Sequence, residues 1–362
     1  MKSISARQTG IILFLTILAN KILLLPSIMY EKTKTDSLFV MFLLFVVELF
    51  VLWIFFVLKD KFGNKSLKDV LQNLIGKSFA KFLLFVFLIF FLFKTMLTYS
   101  VIYVYLKDLV YQDEFGFLAL ICFLPVVNQG VICGLRAMSR SFELFFYLVL
   151  AGIIFCLSIA FFTNVSFPYF FVSNPSQIFN TWFTYIFSFG DYLVLFIFMD
   201  KIHIKKGEKK KILSFVFLGI AIVLSIFLIF YCKYHDTAFM HNNALADLLV
   251  FSVQFNAVGR LDIIAMVTIM ALGLFQMEIF QFAFCESFVM VFPKLSIKYA
   301  VAVFDVLFFI VYFVLIGKYE LMIQLTTEYL PYFAVISNYI LPILIFALSF
   351  KHKKEVKDAK TI

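Results

Sequence analysis

Charged residues are scarce in this chain, because Asp, Glu, Lys and Arg together make up only 15% of its 362 residues. Apolar residues make up 64%, whereas soluble domains carry about 25% charged residues, so an ordinary soluble protein is excluded. The sequence also lacks a Walker phosphate loop, a dinucleotide-binding glycine pattern, an HExxH zinc motif and a hydrolase nucleophile elbow. No enzyme class is indicated, and no cofactor is predicted.

Cysteine and histidine are also few, with five and four residues respectively. The cysteines all fall within or at the ends of apolar stretches, which predicts structural thiols rather than a disulfide framework or a zinc site. Only His235 and His241 lie near each other, and they belong to a predicted loop. The sequence therefore predicts no metal site.

Long apolar stretches are what the chain has in place of charge. About ten of them are long enough to cross the ~30 Å hydrocarbon layer as helices that rise ~1.5 Å per residue. They lie at 11–29, 37–58, 82–105, 117–134, 142–162, 180–199, 212–232, 260–284, 299–317 and 333–350. This pattern predicts an all-α polytopic membrane protein, with residues 1–362 forming one integral membrane domain.

Lysine and arginine are distributed unevenly between the predicted loops. Most of them lie on the side of the N-terminus, chiefly in the loops at 59–81 and 201–211 and in the basic tail at 351–362. Positive loops are retained in the cytoplasm, so both termini are predicted to be cytoplasmic. The basic loops are therefore interpreted as topology signals that also contact anionic lipids, and nucleic-acid binding is not indicated.

Two predicted spans carry polar residues at matching depths. The first has Asn20 and Lys21 near its middle, and the sixth has Ser188, Gly190 and Asp191 near its middle. Interrupted helices at corresponding places in two halves are typical of secondary transporters, whose binding site lies at the bilayer midplane. The sequence thus predicts that helices 1 and 6 are broken around a small-molecule site.

The number of spans fits this interpretation. Ten spans divide into five plus five, with repeat one at about 8–162 and repeat two at about 178–350. Because each half has an odd number of spans, the second half is inverted relative to the first. Spans one and six then occupy equivalent positions, and their breaks meet near the midplane.

Lys21 is the most informative single residue of the chain. It lies ~15 Å from either membrane surface, too far for its side chain to reach water, so it needs a partner or a solvated cavity. Asp191 is the predicted partner. Four roles stay open for Lys21: a clamp for a ligand carboxylate, a substitute for a coupling ion, a proton carrier, and half of a structural ion pair.

Other polar residues in or near the spans are weaker candidates. Tyr99, in the middle of the third span, is a candidate for a hydroxyl that faces the ligand. Four charges are assigned structural or coupling roles. They are Arg140, Glu143, Arg260 and Asp262.

Several stretches, taken in order, resemble the spore-germination permease family, the B subunits of nutrient germinant receptors within the amino acid/polyamine/organocation transporter superfamily. They are Ser5-Ala6-Arg7-Gln8 leading into Ile22-Leu23-Leu24-Leu25-Pro26; Gly134-Leu135-Arg136-Ala137-Met138-Ser139-Arg140-Ser141-Phe142-Glu143; Phe187-Ser188-Phe189-Gly190-Asp191; and Arg260-Leu261-Asp262. The resemblance covers nearly the whole chain.

The resemblance implies a ten-span fold with spans one and six unwound around a small-ligand site. It also implies a subunit that binds a germinant, often an amino acid, in the inner spore membrane or the cell membrane. Its partners would be a larger membrane channel subunit and a lipoprotein subunit of the same receptor. Carried over by position, the ligand-site residues are Asn20, Lys21, Tyr99, Ser188, Gly190 and Asp191.

The chain departs from the family at the first break, where small residues are usual and Ala19-Asn20-Lys21-Ile22 stands instead. The added charge favours an acidic ligand, or a self-contained Lys21–Asp191 pair, over a neutral amino acid. Two other functions stay open. One is a secondary active amino acid permease in which Lys21 replaces a coupling cation, and the other is a structural subunit that binds no ligand.

Overall fold

The computed structural model describes residues 3–110, 113–161, 173–205, 207–241, 243–250, 262–313, 321 and 324–358. Within these ranges the regular structure is helical, and the only extended pairing is a bridge between Ile4 and Ile202. The helices are α1 Ala6–Leu23, α2 Leu25–Thr33, α3 Ser37–Phe62, α4 Leu67–Ile75, α5 Lys77–Val110, α6 Asp113–Cys133, α7 Leu135–Phe161, α8 Pro175–Tyr185, α9 Val194–Ile197, α10 Lys209–Tyr234, α11 Ala244–Val250, α12 Asp262–Val291, α13 Ile297–Val311, α14 Leu330–Ala334 and α15 Leu341–Asp358.

Seven helical segments of the described chain are long and apolar enough to cross a membrane. They are Ala6–Leu23, Leu25–Phe62, Lys77–Lys107, Leu135–Phe161, Lys209–Met240, Ile263–Val291 and Leu325–Phe350. The protein is therefore an all-α membrane protein, as predicted. The apolar part of α6, Ile121–Cys133, and the helix α13 are shorter, and the α8–α9 region is interrupted, so the count of about ten spans and the inverted repeat remain predictions.

The first helix begins with a reciprocal cap that explains one of the sequence stretches noted above. The Ser5 hydroxyl accepts a hydrogen bond from the Gln8 N–H (3.3 Å), and the Gln8 side chain accepts one from the Ser5 N–H (3.0 Å). Two of the N–H groups that a helix start leaves unpaired are satisfied in this way. The cap fixes where α1 enters the protein.

The predicted position of the first break is wrong. Asn20 and Lys21 lie in the regular helix α1, and the interruption comes at Leu24, where α1 gives way to α2. Pro26 accounts for this place, because proline has no N–H and its ring clashes with the carbonyl four residues earlier, here that of Ile22. The backbone at Leu24 stays close to helical (φ −88°, ψ −32°), so the helix is jointed there rather than unwound.

The sixth helix is broken where the sequence predicts. After α8, a 3₁₀ turn at Ile186–Ser188 leads to an extended Phe189, and Gly190 adopts the left-handed conformation (φ 89°, ψ 17°). A second 3₁₀ turn, Asp191–Leu193, then leads into α9. Glycine takes up a left-handed backbone without the strain that a Cβ would introduce. The break leaves backbone N–H and C=O groups in the interior of the protein without hydrogen-bond partners in their own helix.

The helix α1 lies at the centre of the molecule and is buried along almost its whole length. It packs against α7, α10 and α12, while α12 also packs along α5. Just before α1, the Ile4 N–H donates to the Lys201 carbonyl (2.8 Å) and the His203 N–H donates to the Ile4 carbonyl (2.9 Å). This pairing ties the start of α1 to the chain that follows the broken helix.

Candidate functional site

One buried carboxylate at the helix break holds two buried lysines. The Lys21 ammonium forms an ion pair with Asp191 Oδ2, and the Lys94 ammonium lies 3.0 Å from Asp191 Oδ1. No more than 1% of any of these three side chains is exposed. The structure thus brings together the two residues that the sequence paired, Lys21 and Asp191, and adds a second lysine.

Lys94 also satisfies one end of the broken helix. Its ammonium donates to the carbonyls of Phe187 (3.1 Å), Ser188 (2.8 Å) and Phe189 (2.8 Å). The last carbonyls of a helix have no partner within the helix and carry its partial negative charge. In transporters with broken helices such carbonyls coordinate a cation. Here the ammonium of Lys94 occupies that position.

Glu48 satisfies the opposite end of the break. Its Oε1 atom accepts hydrogen bonds from the backbone N–H groups of Gly190 (2.5 Å) and Asp191 (2.9 Å). Helix N-termini bind carboxylates because their free N–H groups and the helix dipole both favour negative charge. Lys21, Glu48, Lys94 and Asp191 together form a buried charge network, in which two positive and two negative groups balance.

Aromatic rings enclose this charge network. The Lys21 ammonium lies 4.5 Å from the centre of the Phe189 ring, and the Lys94 ammonium lies 5.8 Å from that of Phe187 and 5.6 Å from that of Phe280. Cations are attracted to aromatic faces, most strongly where water is excluded. The rings therefore stabilise the two lysines while keeping the network dry.

Gly190 is needed for close approach as well as for its backbone conformation. A Cβ atom built on it would lie 2.5 Å from the Asn338 side chain, whose Nδ2 atom lies 3.4 Å from the Phe189 carbonyl. Asn338 thus fills the space that glycine leaves open and contacts the broken segment from the last helical region.

We expect Gly190→Ala to destabilise the protein much more than Gly134→Ala. Both glycines have a positive φ, 89° and 85°, but a Cβ atom at Gly134 would meet nothing within 4 Å. Backbone strain alone should cost Gly134→Ala roughly 1 kcal/mol, and the clash with Asn338 should raise the cost of Gly190→Ala to about 3 kcal/mol. Thermal unfolding in detergent measures both variants, and equal losses would show that Asn338 yields to the added methyl group.

A small cavity of about 50 Å³ lies beside the charge network, between α1–α2, α5, α8 and the segment Leu325–Tyr329. Its polar lining residues are Asn20, Ser100, Tyr185, Ser188, Thr326 and Thr327, and its apolar ones are Leu24, Leu25, Ile28, Leu97 and Val101. None of these described lining residues is charged. Along the direction from α1 to α2, the cavity lies after the charge network, because the α2 residues that line it follow Lys21 in the chain.

Two of the predicted ligand-site residues line this cavity. Asn20 donates to the Thr98 hydroxyl (3.0 Å), while its buried carbonyl oxygen has no hydrogen-bond partner among the described residues. Ser188 faces the cavity, and its backbone carbonyl is one of those that Lys94 holds. Lys21, which follows Asn20, belongs to the charge network, and so does Lys94, which holds the Ser188 carbonyl, so cavity and network share a wall.

The remaining predicted residues lie elsewhere. Tyr99 is fully buried but does not line the cavity, and its ring packs against Phe308 at 4.7 Å. Glu143 forms an ion pair with Arg7 (3.1 Å) at the N-terminal side of the protein. Arg140 is exposed.

The predicted roles of Arg260 and Asp262 cannot be compared with the structure. Arg260 and the side chain of Asp262 lie outside the described residues, and α12 begins at Asp262. Their predicted structural or coupling roles therefore stay predictions.

Sequence reasoning missed Glu48 and Lys94 as members of the site. Each is one of several charges in or near the predicted spans, and taken alone such a charge favours an ion pair over a ligand contact. The usable signal was depth, because both lie about a dozen residues into their predicted spans and cannot reach water, as for Lys21. A set of two lysines and two acids at one depth predicts mutual pairing.

Comparison with known protein families identifies the chain. A family model described as spore germination protein, the spore permease family, matches residues 3–318. The chain therefore belongs to this family, which confirms the resemblance noted from its sequence. No curated protein sequence matches it significantly. The family is one of germination proteins of permease type and not a family of enzymes.

Proposed function

We propose that this member of the spore germination protein family is the ligand-binding, transporter-like subunit of a nutrient germinant receptor. The observation that supports this most is the wall that the cavity shares with the charge network. A molecule in the cavity would contact Asn20 and Ser188, while Lys94 and Asp191 hold the other side of the same broken segment. Ligand binding would thus act directly on the break.

The proposed ligand is a small, uncharged or zwitterionic molecule such as a small amino acid. At ~10–15 Å³ per water, the 50 Å³ cavity has room for about four water molecules. Each water has one non-hydrogen atom, so the cavity is close in size to the smallest amino acids, glycine and alanine. The positive charge of Lys21 is already matched by Asp191, so it gives no reason to prefer an acidic ligand. The unpaired carbonyl oxygen of Asn20 offers an acceptor for a ligand ammonium group.

The proposal includes the topology of the chain and its partners. We propose ten membrane spans in two inverted halves of five, with both termini in the cytoplasm, in the inner spore membrane or the cell membrane. The partners would be a larger membrane channel subunit and a lipoprotein subunit. Ligand binding would favour one conformation of the broken helix and so shift the equilibrium of the partner channel towards opening.

Filling the cavity should weaken ligand binding without unfolding the protein. Ser100 and Ser225 are matched, because each lies on a helix and donates its hydroxyl to the carbonyl four residues earlier, of Met96 (2.9 Å) and Ala221 (2.8 Å). Ser100 lines the cavity, whereas Ser225 is on the exposed surface of α10. We expect Ser100→Leu to weaken binding at least tenfold, about 1.4 kcal/mol, and Ser225→Leu to leave it unchanged.

The measurement is a thermal-shift screen of the purified protein with the twenty common amino acids, followed by calorimetric titration with glycine, L-alanine and L-glutamate. Stabilisation of the wild type by one of the neutral amino acids, lost in Ser100→Leu only, supports the proposal. Stabilisation by glutamate alone would favour an acidic ligand. If none of the twenty common amino acids stabilises the wild type, an amino acid ligand is excluded, and a purely structural subunit becomes the better interpretation.

A secondary active amino acid permease is the second candidate, because the broken helix with an adjacent cavity is the arrangement found in such carriers. Uptake of the binding amino acid into proteoliposomes distinguishes the two functions. Binding without uptake supports a receptor subunit, whereas concentrative uptake supports a carrier.

A further inference from the structure

A second group of polar side chains lies between α6, α12 and α13, away from the cavity. The Asn128 amide donates to both carboxylate oxygens of Asp305, at 3.0 Å each, and its own carbonyl accepts a hydrogen bond from the Gln281 amide at 2.5 Å. Three helices are thus joined by one continuous chain of hydrogen bonds. Polar side chains on the membrane-spanning helices of a protein are costly and usually have a function.

A second carboxylate flanks this chain of hydrogen bonds. Glu278 lies one helical turn before Gln281 on α12, and its carboxylate occupies the space beside Gly130, where a Cβ atom would overlap it. Neither Glu278 nor Asp305 has a lysine or arginine partner among the described residues. We call the five residues Tyr99, Asn128, Glu278, Gln281 and Asp305 the acidic layer.

Two fully buried oxygen atoms of the acidic layer have no hydrogen-bond partner in the described part of the chain. One is the Gln281 carbonyl oxygen, at the end of the chain of hydrogen bonds, and the other is the Tyr99 hydroxyl. The Tyr99 ring packs against Phe308 (4.7 Å between ring centres), one helical turn after Asp305 on α13, so Tyr99 belongs to the same layer. A buried polar atom without a partner costs free energy, and here two such atoms accompany two unmatched negative charges.

The two polar groups of this protein differ in their charge balance. The charge network at the helix break has two lysines for two acids and already holds an ammonium at its backbone carbonyls. The acidic layer has two acids and no built-in cation. We propose that the acidic layer binds a monovalent cation from solution, either a proton or an alkali-metal ion.

The donor atoms support this class of ligand. Carboxylate, amide and hydroxyl oxygens suit hard cations, and the two acids of the layer are fewer than a metal site built from three His, Cys, Asp or Glu side chains, of which the described residues contain none. Gln281 is five residues, about 8 Å along the helix, from Glu286, which forms an ion pair with Lys201 beside the Ile4 bridge. The layer therefore lies near the N-terminal side of the protein, from which the cation would enter.

The test is thermal stability of the whole purified protein in detergent at pH 6 and pH 8, with NaCl, KCl or choline chloride at equal ionic strength. The other titratable groups near Asp305 are Tyr99 on α5 and Cys285 on α12, and the α6 side chain in contact with Asp305 is the neutral Asn128. The variants Asp305→Asn and Glu278→Gln keep side-chain size. Glu31→Gln, at an exposed site on α2, is the matched control.

Stabilisation of the wild type by sodium or potassium at pH 8, by roughly 3 °C or more, supports an alkali-metal ion if both layer variants lose it and Glu31→Gln keeps it. Stabilisation at pH 6 without an alkali-ion effect supports a proton, and the infrared band of a protonated carboxyl group should then disappear in Glu278→Gln or Asp305→Asn. A wild type that responds to neither overturns the proposal, as do layer variants that respond like the wild type.

Should the two acid variants fail to accumulate, Tyr99→Phe removes one unpaired oxygen without changing any charge. It should raise the half-stabilising cation concentration severalfold or shift the midpoint of the pH response. An unchanged response in Tyr99→Phe would overturn the assignment to this layer.

Discussion

Asp191→Asn should destabilise the protein by about 3–5 kcal/mol, because the shared carboxylate of the charge network is the ion-pair partner of both Lys21 and Lys94. The substitution keeps the size of the side chain, so it creates no cavity. It leaves two buried ammonium groups with only Glu48 to balance them. Such an imbalance in a water-free interior is far more costly than the loss of an exposed ion pair.

Lys21→Met in combination with Asp191→Asn should be less damaging than Asp191→Asn alone. The double variant returns the network to one lysine, Lys94, and one acid, Glu48. Thermal unfolding in detergent and protein level in the membrane measure both the single and the double variants. The exposed pair of Lys209 and Asp60 provides a matched control cycle, for which the coupling should be about 0–1 kcal/mol.

Strictly additive losses in the Lys21–Asp191 cycle would contradict the ion pair. The same result would remove the charge balance on which the contrast with the acidic layer depends. If the double variant is clearly more stable than Asp191→Asn, the network is held by charge balance rather than by packing alone.

The fold class and one of the two helix breaks can be predicted from hydropathy and residue type. Apolar stretches of spanning length predict an all-α membrane protein, and Gly190 within such a stretch predicts a break, because glycine permits a left-handed backbone. Polarity at Asn20 and Lys21 predicts the first break too early in the chain, because both residues lie in the regular helix α1. The physical cause is Pro26, whose missing N–H interrupts the helix at Leu24 instead.

Depth in the membrane could be calculated from sequence, but the direction that each side chain faces could not. Glu48 and Lys94 lie at the same depth as Lys21, yet which face of α3 and α5 turns inwards depends on how the helices pack. Tyr99 illustrates the same difficulty. Its neighbour Ser100 lines the cavity and its neighbour Thr98 contacts Asn20, whereas the Tyr99 ring packs against α13. Rotation about the helix axis is set by tertiary contacts.

The cavity could be predicted even less well. Thr326 and Thr327, which complete its wall, come from a segment of wider helical winding far along the chain. Such irregular winding has no reliable sequence pattern and often occurs at functional sites. The residues of the cavity therefore meet only through the packing of four separate helical segments.

The coupling of cavity and network depends most on one residue. Ser188 lines the cavity, and its carbonyl accepts a hydrogen bond from the Lys94 ammonium. A ligand that moves Ser188 changes the contacts of Lys94, and Lys94 in turn contacts Asp191. Through these contacts a ligand would bind one conformation of the broken helix more tightly than the other. A ligand shifts an equilibrium between two conformations only if it binds them with different affinities.

Lys94→Met should be more destabilising than Lys21→Met, although each removes one buried positive charge. Both variants leave the network with an excess negative charge, at a cost of about 3–5 kcal/mol. Only Lys94→Met also deprives the carbonyls of Phe187, Ser188 and Phe189 of their donor. Hydrogen bonds to charged groups contribute ~1.5–3 kcal/mol each, so the difference between the two variants should reach several kcal/mol.

Thermal unfolding in detergent and protein level in the membrane measure this difference, with Lys81→Met as the control. Lys81 lies on the same helix α5, at its exposed end, over the ring of Phe292, and its loss should cost less than about 1 kcal/mol. Lys94→Met and Lys21→Met of equal stability would show that the carbonyls at the break find other donors. A larger loss for Lys94→Met would instead show that this lysine takes the role that a bound cation has at a broken helix. Because Lys94 fills that role, the charge network needs no ion from solution.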